Sequence, residues 1–137
     1  MLGKPLPIPN GDTVKFWEGC NEEKLLYQKC VNCSAIQFYP RSFCLKCQSL
    51  ELIWEVSTGR GAIHTYTINQ RAPTEAFKSD TPYIIALVDF DEGFRMMMNV
   101  KECSFSELAI GMRVRVIFEQ RGSTIPQNVP QAIPEGR

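Results

Sequence analysis

Cys30-Val31-Asn32-Cys33 and Cys44-Leu45-Lys46-Cys47, ten residues apart, decide how the first half of this chain folds. Each CxxC sets two sulfurs on one tight turn, and two such turns facing each other form the tetrahedral thiolate cage that zinc prefers. Asn32, Ser34, Gln48 and Ser49 are turn-friendly residues at both knuckles. Four thiolates leave no open coordination position, so Cys30, Cys33, Cys44 and Cys47 are expected to hold one structural zinc ion per chain. The linker is short for a zinc ribbon, which points to a compact rubredoxin-like form, and such a site suits iron as well. A redox CxxC would need only one pair.

Working outward, Asp12 or Thr13 can cap a short helix running to about Gly19 or Asn21, with Val14, Phe16 and Trp17 as its apolar residues. Lys24 to Lys29 reads as a strand entering the first knuckle, and Ala35 to Tyr39 as a strand leaving it. From Leu52 onward the pattern is β. Strands are expected at 51–57, 62–71, 83–90, 94–100 and 113–119, with a polar loop at 72–81. Asp91-Glu92-Gly93 is a hairpin signal, and Ser104 with Glu107 is a capping-box pattern opening a short helix to Ala109. Five strands after a knuckle pair fit a five-stranded OB-fold barrel, which hides the edges that a flat sheet would expose. The expected organisation is mainly β: an N-terminal arm and helix at 1–23, a zinc ribbon at 24–50, the barrel at 51–120, and an extended Pro-rich C-terminal arm at 121–137.

The 137 residues carry 15 basic and 15 acidic side chains, so the excess of positive charge that phosphate-backbone binding needs is missing. Residues 1–71 hold eight Lys/Arg against six Asp/Glu, and residues 72–137 seven against nine, so neither half hides a basic module. Nucleic acid and membrane are therefore not expected partners. No apolar run approaches spanning length and no secretory leader is evident, which gives a cytoplasmic expectation.

Cys20 and Cys103 lie outside the knuckles, and His64 is the one histidine. Cys103 precedes the expected helix, where a thiolate could be stabilised with His64 as its base, but free cysteines are usually buried hydrophobes. A catalytic residue is therefore not expected. In the tail, Ile125, Val129 and Ile133 each precede a proline at four-residue spacing. In an extended segment all three would face one way, as an edge able to dock on a partner, with folding back onto the barrel as the alternative. Alternation places Phe94, Met96, Met98 and Val100 inside and leaves Met97 outside, an adaptable contact for a partner or acyl chain.

The chain resembles the thiolase-associated zinc-ribbon/OB-fold family, long catalogued as a domain of unknown function. The resemblance rests on Phe16-Trp17-Glu18-Gly19, Leu25-Leu26 before the first knuckle, and Phe38-x-Pro40-Arg41 before the second. It continues through Gly59-Arg60-Gly61, Thr65-Tyr66-Thr67, Pro82 to Val88, and Ile110-Gly111-Met112-x-Val114. It implies a non-catalytic subunit that forms a hetero-oligomer with a thiolase-like catalytic subunit and helps handle an acyl-CoA thioester. It also implies that the helix, with Phe16 and Trp17, and the ribbon dock on that partner. For the phosphates or pantetheine of coenzyme A the candidates are Arg41, Arg60 and Arg71. The competing classes are an OB-fold nucleic-acid module, for which Tyr66 and Tyr83 are the aromatics to examine, and a rubredoxin-like electron carrier.

Overall fold

The computed structural model describes residues 4–122 and 124–137, so residues 1–3 of the N-terminal arm and one position of the C-terminal arm lie outside the described residues. One helix, α1 (Val14–Asn21), precedes eight strands: β1 (Leu26–Cys30), β2 (Ile36–Gln37), β3 (Leu52–Val56), β4 (Arg60–Asn69), β5 (Tyr83–Phe90), β6 (Arg95–Val100), β7 (Arg113–Arg121) and β8 (Gln127–Pro134). The entry to α1 is shaped by Asn10, whose Oδ1 accepts the N–H groups of Asp12 and Thr13 at 2.9 and 3.0 Å.

The strands divide into a three-stranded sheet in the order β2-β1-β3 and a closed barrel in the order β4-β5-β6-β8-β7. The five-stranded barrel is as expected, but its membership differs at both ends. β3 pairs antiparallel with β1 from Leu26↔Val56 to Cys30↔Leu52, so it belongs to the ribbon. The barrel therefore begins at β4. Its fifth strand is β8, which pairs with β7 from Val114↔Pro134 to Arg121↔Gln127.

The extended Pro-rich arm expected at 121–137 is thus corrected to a barrel strand, the fold-back alternative, and the prolines do not prevent it. Ala132 O accepts the N–H of Lys101, just beyond β6, so the backbone of the even-numbered residues of β8 points toward β6. Pro130 and Pro134 lie in that set. The odd-numbered residues, which face β7, all keep their N–H groups. Proline is excluded from a strand only where a ladder bond is needed, and here the ladder runs along the other side.

Two smaller expectations change. The 72–81 loop contains a 3-10 helix, Glu75–Asp80. The segment after Ser104 is a turn without a helix. Its reciprocal bonds nevertheless form: Ser104 N–H donates to Glu107 Oε1 at 2.9 Å, and Glu107 N–H to Ser104 Oγ at 3.3 Å.

Helix, ribbon and barrel share one core. Alternation along β5 and β6 buries Ile84, Ala86, Val88 and Phe90, and opposite them Met96, Met98 and Val100. Aromatic contacts tie the ribbon and helix to this interior: Tyr27 stacks on Phe94 at 4.9 Å, and Phe16 meets Phe38 edge-on at 5.0 Å. Such pairs are worth about 0.5–1.5 kcal/mol each beyond the area they bury. Close approach of backbone demands glycine at Gly61 and Gly122, where a Cβ would lie 2.5 Å from Asp89 O and 2.7 Å from Ile125 O. Between ribbon and barrel, Glu92 accepts from Ser57 Oγ at 2.7 Å and from the Thr58 N–H at 2.8 Å, holding the linker to the β5–β6 turn.

Candidate metal centre and apolar groove

The two knuckles are built alike. In the first, Cys30 N–H donates to Ala35 O and Ser34 N–H to Cys30 O. In the second, Cys44 N–H donates to Ser49 O and Gln48 N–H to Cys44 O. The residue after each second cysteine, Ser34 at φ 64° and Gln48 at φ 67°, takes the left-handed conformation that closes the turn. All four sulfurs lie within 4.8 Å of one another, with Cys30–Cys47 and Cys33–Cys44 at 3.6 Å. A tetrahedral ion with bonds near 2.3 Å requires sulfur–sulfur edges of about 3.8 Å, so the cage fits.

The surrounding donors point at thiolates. Cys33 N–H donates to Cys30 Sγ at 3.5 Å, and the N–H groups of Lys46 and Cys47 donate to Cys44 Sγ at 3.4 Å. Asn32 Nδ2 donates to Cys47 Sγ at 3.5 Å. That bond, helped by the Ser49 backbone, pulls the Cys47 thiol down to about 6. These four cysteines therefore form a candidate structural metal centre whose chemistry is to close the ribbon.

The remaining nucleophile candidates are placed elsewhere. Cys20 is fully buried, and desolvation pushes its thiol up to about 12. Cys103 is raised by burial and by the Glu107 carboxylate beside it. His64 lies on the outside of the barrel, its Nδ1 3.3 Å from both Asp89 Oδ2 and Arg95 Nη2.

The three arginines suggested for coenzyme A are not brought together. Arg60 begins β4 and pairs with Glu135 at 2.8 Å, whereas Arg71 lies two residues beyond the far end of the same strand. Arg41 is on the ribbon, donating through Nη1 to its own neighbour's carbonyl, Pro40 O, at 3.0 Å.

The suggested partner-binding residues also separate. Ile133 is only 2% exposed and Ile125 is 76% exposed, so Ile133 is occupied by its own barrel and the three-residue edge does not exist. Phe16, Trp17, Met97 and Val129 do converge. They line a groove of about 380 Å³ where α1, the ribbon and the outer face of β5 and β6 meet. Phe77 from the 3-10 helix, Ile85 from β5 and Tyr39 from the ribbon complete its apolar wall. The sequence marks Phe16, Trp17, Met97 and Val129 as partner contacts and Tyr83 as an aromatic to examine, but at separate positions. Nothing in the local pattern signalled that they share one cavity.

Comparison with known proteins follows the same division. Residues 17–52 match the family described as the ChsH2 rubredoxin-like zinc ribbon domain, and residues 54–119 match the ChsH2 C-terminal OB-fold domain. The chain belongs to the ChsH2 (DUF35) family.

Among its relatives in that family is a DUF35 domain-containing scaffold protein of Methanocaldococcus jannaschii. It is 30% identical over 109 residues, covering 78% of this chain and 77% of the relative. The 3-oxo-4,17-pregnadiene-20-carboxyl-CoA hydratase alpha subunit of Mycobacterium tuberculosis is 30% identical over 112 residues, which is 82% of this chain and 35% of that subunit. The match thus spans about a third of that longer relative. Among solved structures, a chain of the Ltp2-ChsH2(DUF35) aldolase superposes with a TM-score of 0.84 at 26% identity, over 94% of this chain and 98% of the other. A DUF35 protein of Sulfolobus solfataricus, at 20% identity and TM-score 0.60, shares the fold.

Proposed function

We infer that this chain is a non-catalytic accessory subunit of a thiolase-type acyl-CoA enzyme complex, binding the catalytic subunit and helping to position the thioester. The likeness over 94% of the chain to the ChsH2(DUF35) chain of the Ltp2-ChsH2 aldolase carries this reading. Relatives named as a scaffold protein and as a CoA-thioester hydratase alpha subunit support it. The placement of the nucleophile candidates agrees: Cys20 is buried with its thiol raised, and the Cys103 thiol is raised. Neither is poised as a thiolate.

On this reading zinc in the Cys30–Cys47 cage supplies no chemistry to the substrate. It closes the ribbon so that Phe38 and Tyr39 are held against α1. Trp17 and Met97 remain candidates for partner contact, whereas Phe16, 3% exposed, is taken up by the core. Arg41, beside the groove-lining Tyr39 and Pro40, is the candidate for a coenzyme A phosphate. Arg60 already has a carboxylate partner and is the weaker candidate. The address consistent with such a complex is cytoplasmic. The nucleic-acid alternative is disfavoured because the groove wall, although it includes Tyr83 and Phe77, has one cation, Arg121, where strand-tracking grooves have many.

Co-purification of the untagged native protein, followed by mass spectrometry, tests the reading. The expected result is a thiolase-like subunit retained in stoichiometric amount, with acetyl-CoA or acetoacetyl-CoA turnover in the complex and none in the isolated chain. Steady turnover by the isolated chain, abolished by Cys103→Ala or His64→Ala, would overturn it. One stoichiometric iron with a red colour would favour the electron carrier instead.

A further inference from the structure

Two glutamines buried in the ribbon face each other across its sheet. Gln28 of β1 and Gln37 of β2 are direct partners in the ladder, and they are 4% and 7% exposed. A carboxamide taken out of water costs free energy unless its polar atoms are bonded. Here both are fully engaged. Gln28 Nε2 donates to Arg41 O at 2.8 Å, while its Oε1 accepts the Arg41 N–H and Gln37 Nε2, each at 2.9 Å. Gln37 Nε2 also donates to Phe43 O at 3.2 Å, and its Oε1 accepts the Leu45 N–H at 3.0 Å. The pair therefore grips the backbone at residues 41, 43 and 45, every second position, as a neighbouring strand would. The last of these lies inside the second knuckle.

That knuckle has little else to place it. The first knuckle continues directly from β1, whose Cys30 pairs with Leu52 of β3. The second is reached through residues 38–43, which belong to no strand. Among the described residues, the backbone–backbone bonds of residues 38–48 are the two that close the turn itself, Cys44 N–H to Ser49 O and Gln48 N–H to Cys44 O. One side-chain bond crosses between the knuckles, from Asn32 Nδ2 to Cys47 Sγ at 3.5 Å. The shape of the second turn is thus set locally, but its place opposite the first is not.

We propose that Gln28 and Gln37 are positioning residues for the metal centre, holding the second knuckle where its two sulfurs meet those of the first around one ion. The inference deepens the reading of the four cysteines as a zinc site and rests on it. A buried polar network whose members are all satisfied rigidifies one geometry, so affinity for the ion depends on two side chains that supply no ligand atom.

The test compares the whole native chain with Gln28→Met, Gln37→Met and Gln28→Glu, each stripped of metal and reloaded with zinc or cobalt. Methionine is unbranched and of similar length but makes none of the three hydrogen bonds of either carboxamide. Gln28→Glu keeps the two accepted bonds. Partners outside the ligand shell typically change metal affinity about 10–100-fold. Chelator competition should show zinc held at least about tenfold more weakly by both methionine variants, and within about threefold of native by Gln28→Glu. Iodoacetamide should label Cys44 and Cys47 of zinc-loaded Gln37→Met faster than in the native protein, with Cys30 and Cys33 near their native rates. The visible bands of cobalt-loaded Gln37→Met should shift as the tetrahedron distorts. Zinc affinity unchanged in both methionine variants, or lowered equally in Gln28→Met and Gln28→Glu, would overturn the proposal. So would labelling that accelerates equally at all four cysteines, the mark of a general loss of packing. If Gln37→Met does not fold, the two Gln28 variants decide in the same terms. A native chain that binds neither zinc nor cobalt overturns the metal centre itself, whereas native binding with indifferent variants overturns the positioning role alone.

Discussion

Ile125, Val129 and Ile133 share a four-residue spacing and a following proline, yet alanine at the three positions should have three different effects. Ile133 is 2% exposed on β8, opposite Arg115 of β7. Its truncation removes three buried carbons, which at about 0.8 kcal/mol each is roughly 2.4 kcal/mol of transfer free energy. The cavity left behind adds to this, so Ile133→Ala should cost about 2–5 kcal/mol. For a chain of this length that lowers the melting temperature by roughly 6–15 °C. Ile125, 76% exposed, should change stability by less than about 0.5 kcal/mol. Val129, half-buried on the groove wall, should fall between. Guanidinium titrations of the zinc-loaded protein measure all three, with constant m showing that the denatured state is unchanged. Ile125→Ala as costly as Ile133→Ala would refute the register of β8. So would a neutral Ile133→Ala that abolishes assembly with a partner.

Cys44→Ser, at a fully buried knuckle position, should release the metal and unfold the ribbon, with metal analysis falling from one zinc per chain to none. Glu92→Ala removes the acceptor of the part-buried Ser57 hydroxyl and of the exposed Thr58 N–H, and should cost about 1 kcal/mol in chemical denaturation. Arg137, and after it the Ser104 backbone, hold the Glu107 carboxyl down to about 2. A depressed folded-state pKa contributes stability above the unfolded value near 4.3 and loses it as pH falls toward about 2. Thermal melts should therefore decline between pH 5 and 3 more steeply in the native protein than in Glu107→Gln; parallel declines would refute the pairing.

The candidate metal centre was legible because its information is local: two CxxC turns carry the four cysteines and their spacing together. β4, β5, β6 and β7 were legible for a related reason, since alternation along a strand records which face is buried. Alternation does not record which sheet a strand joins. β3 alternates like its successors, and only its pairing with β1 across more than twenty residues assigns it to the ribbon. At Ser104 the local signal was read correctly and the element was not. Both capping bonds form, but Gly111, at φ 87°, ends the segment before a helix of useful length can repay its nucleation. The groove had no sequence signature because its wall is drawn from α1, the ribbon, the 70–82 loop and four strands.

The sequence leaves the Pro-rich tail either docking on a partner or folding back onto the barrel, and the position of the prolines in β8 shows why the second is possible. A strand closing a barrel has two neighbours, and proline denies it only the one its nitrogen faces. Pro130 faces β6, and β6 and β8 pair through Val100↔Ala132 alone before they part. With an N–H at position 130 the ladder could extend toward Met98, drawing the two strands together where the groove is lined by Met97 on one side and Val129 on the other. The missing donor leaves the β8-facing edge of that length of β6 without a ladder bond, while β5 pairs its other edge and β7 holds β8 in place. The same residue that disguised the last strand therefore helps to hold open the space beside it, and Pro130→Ala should narrow the groove at Met97 without releasing β8 from β7.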